Sequence, residues 1–202
     1  MNTKLFNTLY EDVLKMLREN LPVNLFYHTP EHTIDVINAA ERISKSEGCS
    51  DEEVLLLKTA ALFHDTGYLR DMREHEKRGC EIANEILDKH GVDKEEISII
   101  CALIMATKVP QQPNTKLEEI ICDADLDYLG RDDYFSIAET LQREFLACEK
   151  IKNDRDWMQL QVAFLQSHKY FTRTCINLRQ PVAEEHLKKI RASETRQPSF
   201  GH

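Results

Sequence analysis

Apolar residues recur at helical spacing along nearly the whole chain. In "LFNTLYEDVLKMLREN" they fall at Leu5, Leu9, Val13, Leu14 and Leu17, one face of a helix. "NLPVNLFYHTP" breaks that pattern, and Thr29 followed by Pro30 reads as an N-cap with proline in the first helical position. The helix it opens runs to about Ser46. Ser50 and Glu53 then form a capping-box pattern for the next helix, which is expected to stop near Thr66-Gly67. Further helices are predicted at about 74–90 and 94–106. After the loop "KVPQQPN" come "LEEIICDADLDYLG", "DDYFSIAETLQREFLACEK", "DRDWMQLQVAFLQSHKYF" and a last helix over about 182–191. No alternating strand pattern, repeat or glycine-rich phosphate loop is present. The pattern predicts an all-α chain of about eight to nine helices, one domain over 1–192, with 193–202 a disordered tail.

Four places interrupt the apolar stripes with polar groups. His32 shares a stripe with Val36, Ala39, Ala40 and Ile43. His64 and Asp65 end the stripe of Val54, Leu57 and Ala61, in a run whose only charge is Lys58. His75 begins the stripe of Gly79, Ile82, Ala83 and Ile86. Asp125 lies with Ile121, Tyr128 and Leu129, whereas Asp123 and Asp127 fall on other faces, so Asp127→Asn is expected to cost little activity. A lone inward histidine is ordinarily a hydrogen-bonded core residue, and an inward aspartate ordinarily a cap or an arginine partner. As a set they are costly to desolvate, and a divalent cation would satisfy them together. Neighbours on a helix point about 100° apart, but in the last turn both His64 and Asp65 can reach one ion. Mixed imidazole and carboxylate donors without thiolate suit Mn, Fe, Co, Ni, Mg or Zn in an open site. "DADLDYLG" fails as a calcium loop, with Tyr128 where glycine and Tyr134 where a bidentate glutamate would be needed.

Composition narrows the partners. The 202 residues are 42% hydrophobic and 30% charged, with a net charge of −9, which argues against nucleic acid or an anionic membrane as the main partner. An anionic substrate would need a local cation to overcome that field. The six cysteines include no CxxC spacing and read as reduced thiols of a cytoplasmic protein. No apolar run of membrane-spanning length or signal-peptide pattern is seen. A homo-oligomer is compatible with the sequence.

"YHTPEHTIDV", "LFHDTGY" and "CDADLDYLG", in that order, resemble the HD superfamily of metal-dependent phosphohydrolases over about residues 20–190. The resemblance implies an HD-type helical domain in which His32, His64, Asp65 and Asp125 hold one or two divalent ions. His32 rather than His28 fits the family pattern because Val36 follows it at the expected distance, and Asp125 rather than Asp123 because it follows Ala124. The stripes select the same two residues. "YHTPEH" is also similar to the "YHNxxH" stretch of cyclic-nucleotide phosphodiesterases, with Thr29 in place of asparagine, which implies a general-acid role for His28. That family's glutamine and aromatic clamp is not recognisable. His75 resembles a further metal ligand of the cyclic-dinucleotide branch, whose later histidine pair is missing here, so metal, phosphate and packing roles all stay open for it. Lys108 follows an inward helix, where it would meet a phosphate oxygen or else be a solvated loop residue. His90 is a helix-end dipole partner and His168 a core histidine.

The expected reaction is hydrolysis of a phosphate ester or anhydride of a small phosphorylated metabolite, a nucleotide among them. Catalysis would rest on His28, Asp65 and Lys108. An HD-type di-iron oxygenase, which needs about six ligands, and a catalytically idle metal-binding signalling domain are the alternatives.

Overall fold

Helix α3, Asp51–Phe63, is apolar on every side, so it must be covered on every side. The computed structural model describes residues 1–194. In it α3 packs against α1 (Thr3–Asn20), α2 (Pro30–Ser46), α4 (His75–Lys89), α5 (Lys94–Ala106) and α6 (Lys116–Asp125). Leu57, Ala60, Ala61, Leu62 and Phe63 are fully buried there. Truncating Phe63 to alanine would cost about 3–5 kcal/mol. Lys58, the one charge of the run, escapes sideways to Glu41 at 2.6 Å and lies over the Phe6 ring.

The remaining helices are α7 (Tyr134–Ala147), α8 (Asp154–Ser167), α9 (Arg173–Leu178) and α10 (Gln180–Glu194). α10 packs on α8, on α9 and on a 3-10 turn at Asp127–Gly130, while α9 touches α2. The chain is all-α as expected, with ten α-helices among the described residues. The helix beyond the expected number is α9, only six residues long, started by the Thr172 side chain, which accepts from Cys175 N. So short a segment carries no legible periodicity. The expected disordered tail begins inside α10, which continues to Glu194; residues 195–202 lie outside those described.

The predicted caps form. Thr29 accepts from His32 N, Pro30 occupies the first turn of α2, and Ser50 and Glu53 exchange both bonds of the capping box. Two ends differ from expectation in a way that matters. α3 stops at Phe63 and gives way to a 3-10 turn at Thr66–Leu69, and α6 stops at Asp125 before the turn at Asp127. Thr66-Gly67 is a close-packed corner. A Cβ on Gly67 would lie 1.8 Å from the His75 carbonyl oxygen, and one on Gly79 would lie 2.9 Å from that of Phe63. These two glycines let α4 approach the end of α3.

Among the described residues no helix is long and apolar enough to cross a membrane.

Candidate metal centre and its cavity

Each candidate ligand stands where a helix begins or ends. His32 is in the first turn of α2, and Asp125 closes α6. His64 and Asp65 follow the last residue of α3, with Asp65 already out of helical geometry at φ −103, ψ 2. That loosening turns both members of the doublet toward one point. Nε2 of His32, Nε2 of His64 and a carboxylate oxygen of Asp125 all lie within 4.8 Å of one another. Asp65 Oδ2 is 3.1 Å from His64 Nε2 and 3.5 Å from His32 Nε2. The His64 side chain is 1% exposed and that of Asp125 14%.

The proton inventory shows why these groups fit a cation. His64 Nδ1 faces the Ala61 carbonyl at 2.8 Å, and a carbonyl only accepts, so Nδ1 carries the hydrogen. In the neutral ring Nε2 then directs a lone pair toward His32 Nε2, 3.3 Å away, and toward both carboxylates. Asp65 Oδ2 is buried and has no hydrogen-bond partner of proper geometry. Donor atoms thus converge lone pair to lone pair, an arrangement that a divalent ion satisfies and hydrogen bonds do not. Burial disfavours charge on His64, but Asp65 and Asp125 more than offset it and raise its pKa well above the ordinary histidine range. Burial likewise opposes charge on the two aspartates, and the histidines outweigh it, holding both carboxyls below their ordinary range. A cation would take the place of the shared proton.

His75 lies on the other side of Asp65. Its Nε2 is 3.7 Å from Asp65 Oδ1 and 3.4 Å from Glu76 Oε1, outside the tight cluster. His28 faces the same cavity. Its Nδ1 is 2.5 Å from Glu144 Oε1, and its Nε2 is 3.2 Å from the Tyr68 hydroxyl. Glu144 has a side chain that is 0% exposed, and its second oxygen accepts from the backbone N–H groups of Phe26, Tyr27 and His28. Burial would raise the Glu144 pKa, but these bonds reverse the sign and keep it below the ordinary range. Tyr68 stacks on His75 at 4.3 Å and lies 4.5 Å from the His28 ring. Lys108 lines the cavity, is exposed, and has no ion-pair partner among the described residues. His90 caps the C-terminus of α4. His168 stacks parallel to Phe164 and lies outside the cluster.

Glu144, Tyr68 and Glu76 are the members that the sequence pattern does not reveal. Glu144 sits between Arg143 and Phe145 on an amphipathic helix, where a glutamate ordinarily faces water. Its burial comes from the 26–28 loop folding over it.

The cavity measures about 430 Å³ and runs from Asp65, His75 and Asp125 past His28 to a wall formed by α7 and α8.

Residues 29–127 match the model of the HD domain, which spans His32, His64, Asp65 and Asp125. The chain carries an HD domain over these residues. Solved structures share the fold. A predicted HD superfamily hydrolase from an uncultured Thermotogales bacterium is 19% identical, with a TM-score of 0.61 over 92% of this chain and 91% of that one. YpgQ of Bacillus subtilis, solved in complex with ADP, is 17% identical, with a TM-score of 0.65 over 95% of this chain and 100% of that one. Lin1889 of Listeria innocua is 15% identical, with a TM-score of 0.63 over 97% and 99%. No curated protein matches the chain in sequence.

Proposed function

We propose that the protein hydrolyses a phosphate ester or anhydride of a small metabolite, with nucleotides the leading substrate class. The observation that carries this reading is the lone-pair convergence of His32, His64, Asp65 and Asp125 beside a histidine whose Nε2 faces the same cavity. A fold neighbour that binds ADP supports the nucleotide class.

His32, His64, Asp65 and Asp125 would hold the ion. When bound, such an ion polarises a phosphoryl oxygen and makes water a nucleophile near neutral pH. Asp65 Oδ2, free of other hydrogen bonds, accepts one from the attacking water and orients it. The water oxygen forms a bond to phosphorus as the bond to the leaving oxygen breaks. His28 donates its Nε2 proton to that oxygen and is reprotonated by the proton the water gives up. This requires both ring nitrogens protonated, and the Glu144 carboxylate on Nδ1 balances the charge. Lys108 and Arg73 line the cavity at this end and would meet the remaining phosphate charge. His75 would contact phosphate or hold a second ion with Asp65. The substrate is taken as a small molecule of the cytoplasm, with no nucleic acid or membrane as partner.

The test is metal analysis of protein purified without chelator, followed by phosphate release from nucleotides and simple phosphoesters with Mn, Co, Ni and Mg. Stoichiometric metal and metal-dependent release are expected. Metal binding without turnover of any phosphate would instead favour the idle domain.

A further inference from the structure

The far end of the cavity is unlike the metal end. Its wall comes from α7, α8 and the turn between them, and is mostly leucines, Ala138 and the rings of Tyr134, Phe145, Trp157 and Phe164, with Lys150 and Gln161 among them. Neighbouring contacts fix these rings. Tyr134 stacks on His186 at 4.7 Å, and Trp157 meets Phe145 edge-on at 6.1 Å. Ala138, Tyr134 and Trp157 are buried, so the inner part of the wall belongs to the core, while Leu160 at its edge is exposed. Its polar groups lie to one side: Gln161 Nε2 donates to the Tyr134 hydroxyl at 2.9 Å, and the Lys150 ammonium lies over the Phe145 ring at 4.7 Å.

This wall selects by what it lacks. A substrate hydroxyl placed against its leucines and ring faces, away from Gln161 and Lys150, would go unpaired, roughly a tenfold loss of affinity or more. A flat ring loses nothing there and gains faces and edges to pack on. We infer that this chamber is a specificity pocket for an aromatic ring carried by the substrate's organic group, with Trp157 and Phe164 as its packing surfaces. The inference rests on the phosphohydrolase reading for the other end of the same molecule. A nucleobase and a simple aryl ester share this ring chemistry.

Trp157 is the chain's single tryptophan, so its fluorescence reports the chamber directly. Phenylphosphonate, octylphosphonate and methylphosphonate, whose C–P bonds resist hydrolysis, would be titrated against the Mg-loaded protein. Phenylphosphonate should quench Trp157 saturably and bind at least tenfold tighter than the other two. Ala138→Phe, which fills the chamber, should weaken phenylphosphonate at least tenfold; if that variant does not fold, Phe164→Ala should weaken it comparably. Equal affinity for methyl and phenyl compounds, tighter binding of the octyl compound, or unchanged binding in a folded variant overturns the ring pocket. The kcat/KM for AMP against phenyl phosphate then separates the sources, a nucleobase if AMP is faster and an aryl ester if it is slower. Ring-dependent quenching without phosphate release from any ester would remove the hydrolase reading and keep the pocket. Equal phosphate release from AMP and ribose 5-phosphate would do the reverse.

Discussion

Asp125 and Asp127 stand two residues apart, and both are taken from water, yet their surroundings are opposite. The Asp127 side chain, 1% exposed, receives Arg42 at 2.7 Å and Arg179 at 2.8 and 3.2 Å, with Arg131 at 3.7 Å. The Tyr170 hydroxyl bonds the backbone carbonyls of Leu126 and Asp127 beside it. Asp125 faces two imidazole nitrogens whose geometry is that of ligands. The first carboxylate is satisfied by arginines; the second meets two imidazole nitrogens and, at 3.5 Å, Gln111 Nε2, a set that a cation would complete. A buried charge alone therefore identifies no function; what marks a candidate site is a partner set that protein hydrogen bonds do not complete.

The sharpest way to break this contrast is to neutralise each aspartate in turn. Asp125→Asn should cut phosphate release by roughly 10² or more while the melting temperature of the metal-free protein holds. Asp127→Asn should cost about 1–3 kcal/mol of stability by weakening its charged hydrogen bonds to Arg42 and Arg179, whose heads still reach solvent, with the folded fraction still active. Measured side by side by turnover and thermal melts, equal loss of activity with equal loss of stability in both would erase the distinction.

The acid role of His28 makes the next largest effect. His28→Ala should keep bound metal, as read by elemental analysis, and lower turnover by roughly 10²–10⁴ for poor leaving groups. The loss should shrink for p-nitrophenyl phosphate, which hardly needs a proton. His32→Ala should lose metal and activity whatever the leaving group. If His28→Ala strips the metal, the two roles are exchanged.

Ligand linkage separates the two carboxylates again. A divalent ion at 100 times its dissociation constant should stabilise the wild type by about 2.7 kcal/mol. Asp127→Asn should gain as much, and Asp125→Asn far less. A full gain in Asp125→Asn would place the ion elsewhere.

His168 gives a pH-dependent effect of similar or smaller size. Burial pushes its pKa down to about 4, only partly opposed by the field of Asp125. Between that value and the ordinary 6.5 the unfolded ring is protonated and the folded ring is not. Stability is therefore full above about pH 6.5 and lost as pH falls toward 4, by up to about 3 kcal/mol. In His168→Phe that part of the acid loss should vanish from melts taken across this window. A curve that keeps its slope would put the acid sensitivity on another group.

The helices, their caps and four of the site residues were legible because each rests on a short-range rule. A histidine or aspartate on an apolar stripe is conspicuous at helical spacing, and Thr29-Pro30 and Ser50–Glu53 carry their caps within four residues. The short α9 and the 3-10 corners left no comparable mark. Nor did Glu144, since whether a glutamate on an amphipathic helix is solvated depends on a loop 116 to 118 residues away.

By itself, then, the sequence determined which residues are helical, which faces are apolar, and that two imidazoles and two carboxylates would be forced inward with His28 near them. It is the packing of distant helices that makes Asp65 aim one oxygen at the cluster and the other at His75, lets Glu144 fix the His28 ring, and has α7 and α8 enclose an aromatic chamber beside the His-Asp cluster. The reason is range. Periodicity and capping act within a few residues, whereas the direction of a lone pair and the shape of a cavity are set by which distant helices come to lie against one another.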